Sequence, residues 1–114
     1  MLELYERRCP PGGKNSVIVY KTSGGNKKAI EDFNEIVFKF HLEQIEFTVR
    51  DIYEDLRFRN ELAKVLGKKD VKAPVVSVKG RLIGGLDEVE KLSYEELAIL
   101  FHGIPKKYKE ESDD

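Results

Sequence analysis

The side chains able to do covalent or metal chemistry are few: one cysteine, Cys9, and two histidines, His41 and His102. A lone cysteine excludes an intramolecular disulfide. Cys9, His41, His102 and the carboxylates show no ligand spacing, so no metal site is expected. Cys9 sits in Cys9-Pro10-Pro11-Gly12-Gly13, which can continue neither a helix nor a strand. Gly24-Gly25-Asn26-Lys27-Lys28 has the glycine and lysine of a phosphate loop but lacks the Walker spacing. His41 falls near a helix end, where it suits the helix dipole better than catalysis.

Periodicity gives the framework that holds these residues. Ser16-Val17-Ile18-Val19-Tyr20 is apolar on both faces, as a central strand under helices on both sides must be. Thr22 to Asn26 is a loop, with Ser23 or Asn26 able to cap the next element. From 27 to about 40, Ile30, Phe33, Val37 and Phe40 fall three or four apart, with Ala29 and Ile36 beside them, which predicts an amphipathic helix. Residues 45–49 alternate apolar and polar, as in a strand near a sheet edge. A second helix is expected over about 54–66, with Leu56, Leu62, Val65 and Leu66 inward and Gly67 closing it.

Residues 73–78 read as a strand, Lys79-Gly80 as a tight turn, and 81–83 as the returning strand of a hairpin. Gly84-Gly85 ends the hairpin, and Asp87-Glu88-Val89-Glu90 starts a helical stretch. Ser93-Tyr94-Glu95-Glu96 has capping-box spacing ahead of Leu97, Ile99, Leu100 and Phe101, and Gly103-Ile104-Pro105 stops that helix. The expected order is β-α-β-α-β-β-α: an α/β domain with a four-stranded mixed sheet and helices on both faces. Residues 1–14 are expected to be a flexible leader, 15–103 the domain, and 104–114 a charged tail.

A chain of 114 residues is one domain's worth, able to bury roughly two-thirds of the surface its unfolded form exposes. Its 20 basic and 21 acidic residues nearly cancel, which removes the electrostatic case for nucleic acid or an anionic membrane as partner. No apolar run approaches the roughly 18 residues of a membrane span. The first residues carry no apolar signal core, and a cytoplasmic location is expected.

Three segments, in this order and spacing, resemble the glutaredoxin branch of the thioredoxin fold. Val17-Ile18-Val19-Tyr20-Lys21-Thr22-Ser23 resembles that family's first strand and the start of its active loop. Ala73-Pro74-Val75-Val76 resembles its Thr-Val-Pro-x-Val segment, whose proline is cis. Gly84-Gly85-Leu86-Asp87 resembles its Gly-Gly-x-Asp turn. The resemblance spans about 14–101.

The resemblance implies an active loop with Cys-x-x-Cys or Cys-x-x-Ser at the start of the first helix. Those positions fall here on Gly25 and Lys28. Neither can form the thiolate that attacks a disulfide. An iron–sulfur ligand at the first position is lost for the same reason. Cys9 precedes the first strand, at what should be the opposite end of the sheet from that loop.

The resemblance also implies a groove for glutathione. The backbone of Ala73, before Pro74, would pair with the tripeptide's cysteine residue. The Leu86 amide and the Asp87 carboxylate would meet its γ-glutamyl end. Arg59 would contact its glycine carboxylate. Thr22 occupies the family's active-loop lysine position, with Lys21 displaced by one. Each has a plainer reading: Pro74 and the glycines serve the turns, Asp87 caps a helix, and Arg59 is a surface charge.

The resulting expectation is a redox-inactive glutaredoxin-like domain with no catalytic residues and no required cofactor. It would act on an unidentified protein partner as an interaction or regulatory module, with glutathione as a further ligand. The competing readings are a glutathione binder without chemistry, a thiol–disulfide oxidoreductase using Cys9 or a partner's thiol, and a glutathione transferase.

Overall fold

A computed structural model describes residues 1–107. Its elements are β1 (Val17–Lys21), α1 (Lys27–Leu42), β2 (Thr48–Asp51), α2 (Leu56–Leu66), β3 (Val75–Val78), β4 (Arg81–Gly84), α3 (Leu86–Glu90) and α4 (Tyr94–Leu100). The four strands form one sheet in the order β2-β1-β3-β4. β1 and β2 run parallel, with Ile18 opposite Thr48. β3 runs antiparallel to β1, with Val17 opposite Val78, and to β4. Lys79 and Gly80 turn between β3 and β4 with φ of 53° and 79°, the pair of positive values that a two-residue type I′ hairpin needs.

The apolar run of β1 is explained by its two buried faces. Val17 and Val19 pack with Val76 and Val78, under Ile36 and Phe40 of α1, Val89 of α3 and Leu97 and Leu100 of α4. Ile18 and Tyr20 face the other way, with Val75, against Leu62 of α2. Helices thus cover both faces of a mixed sheet, as the sequence predicts.

The differences are local. In α1 the buried stripe is Ala29, Ile36 and Phe40, with Phe33 partly buried, and Ile30 points outward at 39% exposure. The stripe keeps a spacing of three or four but runs one residue ahead of Ile30. In α2 the Asp55 carboxylate accepts from the Arg57 amide at 2.9 Å. That cap starts the helix at Leu56, which stands 66% exposed in the first turn. The last helix is two: Ser93 and Glu96 form the expected capping box, and it starts α4 anew after α3 has ended.

The leader lies along the hairpin. The Leu82 amide donates to the Glu6 carbonyl at 2.9 Å and the Arg8 amide to the Gly80 carbonyl at 3.0 Å, so Arg7 pairs with Arg81 as a short antiparallel bridge. Met1, Leu2 and Tyr5 pack on the α1-side core. The β4 edge is covered by the chain's own N-terminal segment. At the other end Ile104 is buried and Lys106 pairs with Ile45. Of the charged tail expected from 104, residues 108–114 lie outside the described residues.

Candidate functional site

The loop from β1 to α1 is built by short hydrogen bonds. The Thr22 hydroxyl accepts from the Gly24 amide at 3.3 Å and lies 3.3 Å from the Gly24 carbonyl, to which it donates. The Asn26 side chain accepts from the amides of Lys28 at 3.0 Å and Ala29 at 3.4 Å, and so caps α1. A second element clamps the loop. Asp51 Oδ1, at the end of β2, accepts from the amides of Ser23 at 3.2 Å, Tyr53 at 2.9 Å and Glu54 at 3.3 Å. Burial alone would raise this carboxyl, but hydrogen bonding from Ser23, Tyr53 and Glu54 outweighs it and holds Asp51 below its usual range.

Beside the loop lies a cavity of about 460 Å³, lined among others by Thr22, Lys28, Asp32, Arg59, Lys72 and Ala73. Three of the six residues expected at a glutathione groove, Thr22, Arg59 and Ala73, therefore meet around one opening. The Ala73–Pro74 peptide is cis. Pro74 is buried behind Ala73, and the β4–α3 turn packs on it: a Cβ on Gly85 would stand 3.2 Å from the Pro74 carbonyl oxygen. Leu86 leans on the α1-side core and Asp87 is exposed; neither lines the cavity.

Lys28, at the second of the two cysteine-equivalent positions, contacts Asp32 at 3.0 and 3.1 Å across one turn of α1. That hydrogen bond, the Asp32 charge and a smaller pull from Asp87 raise the lysine above its ordinary value. Lys21 takes no part: its ammonium lies 4.7 Å from the centre of the Phe33 ring, on the α1 face.

Cys9 is exposed and lies beside Gly80, whose Cβ would come 3.1 Å from Cys9 Sγ. Val78 pairs with Val17 at the start of β1, so the Lys79-Gly80 turn and Cys9 stand at the end of the sheet opposite the loop that leaves β1 at Lys21. Cys9 instead borders a separate cavity of about 500 Å³ between the leader and α2, with Arg8, Arg57 and Lys64 around it. Among the described residues no group of three or more His, Cys, Asp or Glu side chains could hold a metal ion, and no helix is long and apolar enough to cross a membrane.

Sequence reasoning passed over Asp32, Asp51 and Tyr53. The four-residue step from Lys28 to Asp32 is an ion-pair spacing visible in any helix. The Asp51 clamp joins residues far apart in the chain and had no local signal.

No family model and no curated protein matches this chain. Its structure is similar to solved glutaredoxins. A buckwheat glutaredoxin–glutathione complex matches over 77% of each chain at 17% identity and a TM-score of 0.58. The holo form of glutaredoxin C1 from Populus tremula x tremuloides matches over 77% of this chain and 84% of its own, at 24% identity and 0.58. Wheat glutaredoxin matches over 82% and 84%, at 18% identity and 0.56. The chain thus has the thioredoxin-like fold in its glutaredoxin form.

Proposed function

We propose that this chain is a redox-inactive glutaredoxin-like domain that works by binding, as a protein-interaction or regulatory module, and that its groove still takes glutathione. One observation carries the reading: a cavity lined by Thr22, Arg59 and Ala73 lies beside a loop whose two cysteine-equivalent positions hold Gly25 and a Lys28 ion-paired to Asp32. Thiol–disulfide exchange needs a thiolate at the loop, and the single thiol is at the far end of the sheet.

Glutathione fits the groups present. The backbone at Ala73 offers a strand edge for the tripeptide's cysteine residue. Arg59 offers a bidentate partner for the glycine carboxylate. The Leu86 amide and the Asp87 carboxylate, at the start of α3, would meet the γ-glutamyl end.

Amide shifts of the labelled protein, followed during titration with reduced glutathione, test this. Saturable shifts at Ala73, Val75, Leu86 and Asp87 are expected, and Asp87→Ala is expected to weaken binding about tenfold without changing Tm. A folded protein showing no shifts at millimolar glutathione would leave only the protein-interaction part of the reading.

A further inference from the structure

The two faces of α2 serve different cavities. Arg59 lines the one beside the first loop, whereas Arg57, Asn60, Lys64 and Val65 line the cavity of about 500 Å³ under the leader. The apolar part of that second lining is Pro11, Pro10, which is buried, and Val65, 6% exposed. Among the described residues lining it the one acid is Glu61, whose carboxylate is already committed to the Tyr20 hydroxyl and the Arg50 guanidinium. The rim is cationic. Arg8 is held by Glu6 and Arg57 by Asp55, but Lys64 has no carboxylate partner among the described residues. Arg8 reaches the end of α2, where a Cβ on Gly67 would stand 3.2 Å from its Nη1. From there a shallower cavity continues to Lys68 and Lys69, which also lack carboxylate partners among the described residues.

A basic segment laid here would meet cations and no free carboxylate. A nucleic acid strand would find no aromatic ring among the described lining residues on which to stack a base. Resting on the protein-interaction part of the reading above, and on none of the glutathione part, we infer that the leader–α2 groove docks an extended acidic segment of a partner protein. Alternate side chains of an extended chain face opposite ways. Apolar residues at every second position then cover Pro10, Pro11 and Val65, and the acidic residues between them stand by Lys64 and Arg57. These two cations lie about 10 Å apart along the helix, the length of about three extended residues, so five or six residues span the groove as far as Lys68. Removing the apolar surfaces from water supplies affinity, and the rim charge selects the acidic partner.

Fluorescence anisotropy of a labelled six-residue peptide of alternating glutamate and leucine, titrated with the full chain, tests the inference. Cys9 is the only thiol and borders the groove, so its rate of alkylation by iodoacetamide reports whether the peptide lies there. Saturable binding that slows Cys9 alkylation is expected. Reversing two exposed charges together, Lys64→Glu with Lys68→Glu, should weaken it about tenfold with Tm unchanged. Lys91→Glu, after α3 on the other side of the sheet, should leave it unchanged. No binding at millimolar peptide, equal binding of a lysine–leucine peptide, an equal loss in Lys91→Glu, unslowed Cys9 alkylation or tighter binding of a single-stranded hexanucleotide would each overturn the inference. The glutathione titration reads Ala73, Val75, Leu86 and Asp87 instead, so either reading can fail alone.

Discussion

The Ser23 amide donates to Asp51 Oδ1 at 3.2 Å, tying the loop after β1 to the end of β2. Asp51 titrates below its ordinary value in the folded chain because its hydrogen bonds outweigh the cost of its burial. A depressed folded pKa means the stabilisation is complete above the unfolded value of about 3.9 and is lost as pH falls through the folded one. The amides of Ser23, Tyr53 and Glu54 should therefore titrate together below about pH 3.9. Asp51→Ala should remove that transition and cost about 1–2 kcal/mol in urea unfolding. A shared midpoint at or above the ordinary aspartate value would contradict the clamp.

A second network lies under α2. The Tyr20 hydroxyl and the Arg50 guanidinium both donate to Glu61 Oε2, and Arg50 also sits 5.6 Å from the centre of the Phe58 ring. Burial first, then Glu61, pushes the Tyr20 hydroxyl well above its ordinary range. Glu61→Ala leaves a buried hydroxyl and a cation at 15% exposure without their partner, and should cost about 2–3 kcal/mol. Tyr20→Phe removes one donor and leaves the ion pair, so it should cost less. Urea unfolding of the two variants and their double mutant checks the order, and a Glu61→Ala variant as stable as the parent would refute it.

The two loop glycines should respond differently to the same substitution. Gly25→Ala meets no neighbour but forces an L side chain to a φ of 81°, which should cost about 1 kcal/mol. Gly24→Ala collides with the Tyr53 ring, and the exposed ring should swing away. The Tyr53 ring-proton shifts should therefore move in Gly24→Ala and stay in Gly25→Ala. Identical spectra for the two would contradict the ring's placement.

The legible parts of this molecule were those written in local pattern. The apolar run of β1, the positive-φ pair Lys79-Gly80, the capping box of Ser93 and Glu96, and Gly67 at the end of α2, with a φ of 73°, are all short-range signals. Leu56 misled because its period matched α2 while the Asp55 cap placed it in an exposed first turn. The pairing of the leader with β4 runs through the backbone of Glu6 and Arg8, which composition does not encode. In the site, Thr22, Arg59 and Ala73 came from resemblance and meet at one cavity. The tie between Asp51 and Ser23 spans 28 residues of chain and needed the sheet.

The central proposal is that this chain binds in the cavity beside its first loop and does no thiol chemistry there. Glutathione-coupled reduction of a small disulfide, measured for the parent and for Cys9→Ser, is the sharpest test of that statement. Both proteins should run at the rate of the reaction without protein, at any glutathione concentration. A parent rate above that background would contradict it. Loss of that rate in Cys9→Ser would assign the activity to the cysteine at the far end of the sheet.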